Sequence, residues 1–343
     1  MGIMGMSFPE EYGRIGASTE ATACISSKLA EAWPSLQLIW SVNTALVGFP
    51  ITTFGREDQK RRTLPFLASG EDFGCFAATE TEVGSDLSAL KMTAEDHNGK
   101  FILNGFKNLI TNADRARFMI VFARIKGWKE DISKRHAGIT AFLIESNEIG
   151  FRDIPGIQIS SIRKRGFGGA PFCLVEFDNV VISEDSILGE QGKGMSVALA
   201  TLDIGRLGIA SQGDGIARRA LTETREYTKT RTVFDMRLID LDVIGLRLAE
   251  HEAYTDVIWK GVLDACRKKD RDMPFSDDAA KVKLLSAENA RRVARDCCDM
   301  FGGYWYTYDY VIGDIKNDAE ILPTYEGTAE IQKSVIIRKH RKL

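Results

Sequence analysis

The stretch from Phe73 to Ile182 decides the fold: FGCFAAT (73–79), KMTAED (91–96), KFILNGFKNLIT (100–111), FMIVFARI (118–125), GITAFLIE (138–145) and FCLVEFDNVVI (172–182). Each run is short, rich in β-branched and aromatic residues, and alternates. HNGK, NADRAR or a Gly/Pro turn separates one from the next. Alternation at period two between turn residues reads as strands with one buried face. Without a helical pattern between them, these runs predict a middle β-domain over 72–188, an antiparallel barrel or sandwich.

Outward from that block the period lengthens. ASTEATACISSKLAEA (17–32) repeats small and apolar residues at helical spacing. A second helix is expected over 36–49, closed or kinked by Pro50. REDQKRRTLPFLASGE (56–71) reads as a charged surface helix with Pro65 and a Gly70 stop. Residues 1–71 are therefore a helical block. Its opening, MGIMGMSFPEEYGRIGAS, has neither a basic n-region nor a cleavage site and is not a signal peptide. It reads as the end of something packed, so further helix is expected ahead of it. Past Gly192 the spacing predicts helices over 194–229, 238–269, 276–301 and 328–341, making 189–343 a four-helix bundle. The class is α+β multidomain. A junction of three such blocks is the default place for a ligand.

Composition narrows the function. The 343 residues are 44% hydrophobic and 27% charged, with 45 Lys+Arg against 48 Asp+Glu, so neither nucleic acid nor an anionic membrane is expected as partner. No uncharged run reaches the ~18 residues of a membrane span. Six scattered Cys without a CxxC read as free, buried thiols in a reducing compartment. Four dispersed His argue against a histidine metal site.

Four short segments carry candidate chemistry, each with an ordinary structural alternative. Thr79-Glu-Thr-Glu-Val-Gly84-Ser85-Asp86 offers hydroxyls and turn N–H groups for carbonyl or phosphate oxygens, or is a plain Asx/Ser turn. Asn108-Leu-Ile-Thr111-Asn112 is a polar strand end or another turn. Tyr325-Glu326-Gly327-Thr328 presents a carboxylate at a sharp turn ahead of a helix that Thr328 could cap. In apolar walls that carboxylate would be a base near neutral pH; otherwise it favours the helix dipole. Asp203 and Arg206 share a helix face and either pair in solvent or steady a site.

Taken together, the order is Thr79-Glu…Gly84-Ser85-Asp86, Asn104-Gly105-x-Lys107-x-x-Ile110-Thr111-Asn112, Phe177-Asp-x-Val180, Ile187-Leu-Gly-x-x-Gly192-x-Gly194, Arg206, Gly302-Gly303-Tyr304, and Tyr325-Glu326-Gly327-Thr328. From about Pro9 to the C-terminus this resembles the acyl-CoA dehydrogenase family, closest in look to its glutaryl-CoA and benzylsuccinyl-CoA branch. The resemblance implies an N-terminal helical domain, a middle β-domain, a C-terminal four-helix bundle and an FAD cofactor. It implies dehydrogenation of an acyl-CoA to a 2-enoyl-CoA, with Glu326 removing the proton beside the thioester carbonyl and the flavin taking hydride. By the same resemblance Thr79 and Thr111 touch the flavin ring, and Gly84 and Ser85 lie near flavin or substrate. Arg231 and Thr328 belong to the cofactor site. Asp203, Arg206, Tyr325 and Gly327 belong to the substrate site. Electron-transfer flavoprotein is the implied electron acceptor, a tetramer the implied assembly, and the cytoplasm (or the mitochondrial matrix) the implied compartment.

Departures from the family pattern are equally specific. Leu109 stands where a Trp stacks on the flavin. Arg231-Thr-Val-Phe234-Asp235 replaces Arg-x-x-Phe-Gly, Asp242 replaces a Gln, and Trp305 replaces the Gly of Gly-Gly-x-Gly. These last three belong to the adenosine end of a neighbour's FAD, so a mixed assembly with a homologous second subunit is expected. The acyl-pocket helix has no Arg, and Gln37 stands near where a carboxylate-binding Arg is expected, which favours an uncharged acyl group. Trp40 would limit pocket depth if it points inward. Three readings compete: a non-catalytic or FAD-poor partner subunit, a flavin oxidase or monooxygenase, and a reductase.

Overall fold

A computed structural model of the chain describes residues 2–12 and 15–341. In chain order the helices are α1 (Thr19–Ala32), α2 (Pro34–Ser41), α3 (Phe49–Phe54) and α4 (Glu57–Ser69). The strands β1 (Phe73–Ala77), β2 (Thr93–Asp96), β3 (Lys100–Thr111), β4 (Ala116–Ile125), β5 (Ile139–Glu145), β6 (Ile157–Ser161) and β7 (Phe172–Ser183) follow. Then come α5 (Gly194–Thr230), the hairpin β8 (Thr232–Val233) and β9 (Met236–Arg237), α6 (Asp242–Asp270), α7 (Ser276–Phe301), α8 (Ile312–Ala319) and α9 (Ala329–Arg341). By compactness the chain divides into two units. One holds Met1–Ala17, Ile39–Lys164 and Gly169–Ile204; the other holds Ser18–Leu38, Arg165–Gly168 and Gly205–Leu343.

The first unit is built on a seven-stranded sheet ordered β1-β4-β2-β3-β7-β6, with β5 added to β4. The β2–β3, β3–β7, β4–β5 and β6–β7 ladders are antiparallel as expected. The β1–β4 and β2–β4 ladders are parallel, which corrects the purely antiparallel reading. The cause is connectivity: β2 and β3 intervene between β1 and β4, and a non-adjacent pairing is free to run parallel. Strand β4 also departs from alternation. Phe118 to Ala123 are all buried, because β1 and β2 flank one edge, β5 the other, and both faces are covered.

One close approach fixes how helix meets sheet in this unit. A Cβ on Gly74 of β1 would lie 2.6 Å from Val47 Cγ1, so only glycine lets the backbone in. Asn43 Oδ1 accepts from Gly74 N at 2.9 Å, and Asn43 Nδ2 donates to Leu67 O at 3.0 Å. Pro50 does not close its helix. A π-helical stretch over Val42–Gly48 carries α2 into α3, where Pro50 sits in the first turn. There its missing N–H costs little, and the wider turn before it makes room for the ring. Pro65 likewise lies inside α4, while Gly70 (φ +80°) does terminate it.

The second unit is helical. Ala23 of α1 packs with Leu207 and Ala210 of α5, Val262, Ala265 and Cys266 of α6, and Ala279 and Val282 of α7, edged by Trp259 and Phe275. Small residues bring the helices close, and by compactness α1 goes with these helices. Helix α6 starts at Asp242, four residues later than the spacing predicts, because the β8–β9 hairpin and a short 3₁₀ turn come first. Phe234 and Asp235 both have positive φ (+51° and +62°), the tight-turn geometry a two-residue hairpin needs. Of the six cysteines, all free, only Cys24 is exposed.

Candidate active site

In the second unit the chain runs from Pro323 through a tight turn into α9. Ala329 N donates to Pro323 O at 2.8 Å, and Thr328 Oγ1 accepts from Ile331 N at 3.3 Å, the expected cap. Two residues before the helix the backbone is left-handed twice in succession, at Glu326 (φ +50°) and Gly327 (φ +96°). Glutamate pays of order 1 kcal/mol for that conformation, so the turn needs support. Lys283 Nζ on α7 and Gln332 Nε2 on α9 both donate to the Gly327 carbonyl, at 2.7 and 2.8 Å. A Cβ at Gly327 would lie 2.5 Å from Gln332 Nε2.

Tyr325, on the other side of Glu326, ends a buried chain of donors. Its hydroxyl donates to Gln212 Oε1, Gln212 Nε2 donates to Gln37 Oε1, and Gln37 Nε2 donates to Ser26 Oγ at 2.8 Å. Burial raises the Tyr325 phenol well above its usual pKa, so it stays a neutral donor. Its ring centroid lies 6.4 Å from that of Phe167. Gln37 thus has both ends of its amide hydrogen-bonded and is wholly buried. Trp40, in the first unit, is buried with Nε1 donating to Ile3 O at 2.8 Å.

Glu326 is half-buried, and its Oε2 is enclosed without a hydrogen-bond partner. Burial pushes the carboxyl up from 4.5 to about 7, against the opposing pull of the Lys283 and Arg206 cations. Lys283 is fully enclosed, and burial pushes its ammonium down from 10.5 to about 8 while Glu326 pulls it back up and Arg206 adds to the lowering. Among the described residues no acceptor takes the Glu326 N–H. A carboxylate with an idle enclosed oxygen, balanced near neutrality, is chemically a proton acceptor. No cluster of His, Cys, Asp or Glu among the described residues could hold a metal.

The remaining residues of the sequence reading fall elsewhere. Arg206 is buried in α5 within the second unit; Asp203, earlier on the same helix, is half-buried and belongs to the first. Arg231 follows the end of α5, its guanidinium 5.8 Å from the centroid of the Tyr304 ring. Trp305 stacks under Lys316 Nζ at 4.0 Å.

In the first unit, the segment after β1 and the end of β3 are tied together. Asn108 N donates to Thr79 O at 2.8 Å. Glu80 accepts from Lys91 N (2.8 Å), Met92 N (3.0 Å) and Lys107 Nζ (2.8 Å), and Lys107 Nζ also reaches Ala78 O at 3.2 Å. Strand β3 then breaks register between Lys107 and Ile110, with positive φ at Leu109 and Asn112. Thr79 and Thr111 are half-buried, and Gly84 and Ser85 are exposed. Their three hydroxyls make no hydrogen bond among the described residues. Leu109 is 48% exposed.

Sequence reasoning missed Lys283, Gln212 and Gln332. A signal existed for the first: Lys283 stands four residues after Ala279 and three before Ser286, on a face otherwise made of small buried residues.

Comparison with known proteins finds three domains of one family. Residues 1–71 match the acyl-CoA dehydrogenase N-terminal domain, 75–180 the middle domain and 192–340 the C-terminal domain. An acyl-CoA dehydrogenase of Bacillus subtilis is 35% identical over 336 residues, covering 98% of this chain and 86% of the relative. The structure of butyryl-CoA dehydrogenase from Megasphaera elsdenii superposes with a TM-score of 0.91 at 34% identity, covering 98% of this chain and 86% of that one. A glutaryl-CoA dehydrogenase from Mycobacterium smegmatis in complex with FADH2 gives 0.91 at 28% identity, covering 100% and 84%. The chain belongs to the acyl-CoA dehydrogenase family.

Proposed function

We propose that this chain catalyses FAD-dependent α,β-dehydrogenation of an acyl-CoA thioester, with Glu326 as the base. The observation that carries the reading is the Glu326 carboxyl itself, half-enclosed, with an unpartnered Oε2 and a pKa raised to about 7. It would take the proton from the carbon beside the thioester carbonyl. Charge then develops on the thioester oxygen, and the idle Glu326 N–H is a donor suited to it. The Arg206 and Lys283 cations keep the carboxylate from being neutralised outright.

The residues of the first unit suit the isoalloxazine end of FAD. Thr79, Ser85 and Thr111 carry uncommitted hydroxyls, and Leu109 offers an exposed apolar surface. FAD, when bound, supplies the acceptor for hydride from the adjacent carbon, so that a 2-enoyl-CoA results. Thr79, Gly84, Ser85, Thr111, Arg231 and Thr328 are the cofactor residues of this reading. Ser85, Asp203, Arg206, Tyr325 and Gly327 are its substrate residues. An uncharged acyl group is favoured, because the stretch 35–46, SLQLIWSVNTAL, holds no Arg to take a distal carboxylate.

The adenosine end fits less well. Asp242 puts a carboxylate on the first turn of α6, Trp305 is occupied by Lys316, and Phe234 stands 89% exposed at the hairpin turn. These observations favour a second arrangement, a heteromer in which a homologous subunit completes FAD sites, with electron-transfer flavoprotein as acceptor in the cytoplasm or mitochondrial matrix. No helix among the described residues is long and apolar enough to cross a membrane.

The test is a panel of acyl-CoA thioesters with a dye acceptor, run on the wild type and Glu326→Gln. Removing the base should cut turnover roughly 10²–10⁴-fold at unchanged flavin content. Equal rates refute the role of Glu326. Full FAD occupancy in the purified homomer refutes the need for a second subunit.

A further inference from the structure

We infer that Lys283 is a positioning residue for Glu326, clamping the left-handed turn through the Gly327 carbonyl and setting a buried positive charge beside the turn that carries the carboxylate. This rests on the reading of Glu326 as the base. Lys283 lies on the inner face of α7 among Ala279, Ala280, Ser286 and Ala287, all buried, and is itself wholly buried. An apolar side chain of the same length would fill that place without dehydrating an ammonium, a substitution that is often neutral or stabilising. Packing alone therefore does not account for the residue.

What the ammonium does is specific. Among the described residues its hydrogen bond goes to the carbonyl of Gly327, the residue after Glu326, and not to the carboxylate. Gln332 Nε2 donates to the same oxygen from α9, so two donors from two helices converge on one carbonyl. The turn they hold has two consecutive left-handed residues, one of them glutamate, a conformation that persists only when its surroundings over-determine it. The charged groups acting on Lys283 are Glu326 in the turn, Arg206 on α5, Glu288 on α7 and Glu330 on α9. On Glu326 the acting cations are Lys283 and Arg206. Lys283 thus leaves Oε2 free for a proton while opposing the burial that would hold the acid neutral.

The experiment separates clamp from charge. Infrared difference titration follows the Glu326 carboxyl, identified as the band absent from Glu326→Gln, in protein with and without flavin; kcat/KM is profiled against pH in parallel. Lys283→Met and Lys283→Gln should both move the Glu326 midpoint upward by on the order of one unit, so that about tenfold less carboxylate is present below the midpoint. Lys283→Arg should restore the midpoint. Gln332→Leu, which keeps the charge and loses one donor, should lower kcat with the midpoint in place. An unmoved midpoint in both neutral variants overturns the inference, whatever their stability, and leaves the base role intact. Wild-type turnover in Glu326→Gln overturns the base role instead, since the titration does not depend on turnover.

Discussion

Lys107→Met is the sharpest test of how the first unit holds the residues after β1. Lys107 is 0% exposed, and its partner Glu80 is 8% exposed. Glu80 takes three hydrogen bonds, two from backbone N–H groups and one from the ammonium. Removing the ammonium leaves a buried carboxylate on two neutral donors and strips Ala78 O of its contact. Breaking a buried pair this way costs about 3–5 kcal/mol. The pair is nonetheless no net bargain. Burial pushes Lys107 down from 10.5 to about 8, outweighing the pull of Glu80. Between about pH 8 and 10.5 the native state binds fewer protons at Lys107 than the unfolded chain, so this group's contribution is present above the unfolded pKa and is lost as pH falls through about 8. At ~1.36 kcal/mol per unit the loss is roughly 3 kcal/mol. It follows that Lys107→Met with Glu80→Leu should be far less damaging than the two single changes added. Urea unfolding of the four proteins, followed by circular dichroism, gives the coupling. A single-mutant cost below about 1 kcal/mol, or strict additivity, would show that burial of this pair is not what holds the loop.

Three further outcomes follow from the turn at Glu326. Gly327→Ala meets both a φ of +96° and a Cβ 2.5 Å from Gln332 Nε2, so it should lower stability by about 1–3 kcal/mol and turnover with it, measured by thermal unfolding and dye reduction. Gln212→Leu leaves the Tyr325 hydroxyl and Gln37 Oε1 buried without partners, costing about 1–3 kcal/mol for each group, which chemical denaturation reads directly. Glu326 is an acid whose folded pKa lies above its unfolded value, so its stability contribution is complete below about 4.5 and is lost as pH rises through about 7. Glu326→Gln should therefore match the wild type near pH 4 and exceed it by up to roughly 3 kcal/mol at pH 8. Parallel stability curves across that range would refute the raised pKa.

Much of this was legible from local chemistry alone. The strand runs and their turns are visible because alternation and Gly/Asn turns act over a few residues. Gly70 and Thr328 announce helix ends because caps are local hydrogen bonds. What failed depends on neighbours the sequence does not specify. Pro50 and Pro65 are breakers in isolation, yet each is absorbed within a continuous helical segment. FMIVFARI reads as an exposed-faced strand until both its faces are covered. The site shows the same division. Glu326 is legible because Gly327 and a following cap mark a displayed carboxylate. Lys283 lies 43 residues before it and Gln212 lies 113 residues before Tyr325, so no spacing rule couples them. Their trace in the sequence is of another kind. Gln37, Gln212, Lys283 and Gln332 are polar residues at wholly buried helix positions, where transfer from water without a partner costs roughly 1–3 kcal/mol. Such residues persist only if something buried needs their hydrogen bonds, and here the recipients converge on Tyr325 and Gly327, the two residues flanking the base. A polar side chain on the apolar face of a helix is therefore the most economical sequence signal for a site assembled from distant parts.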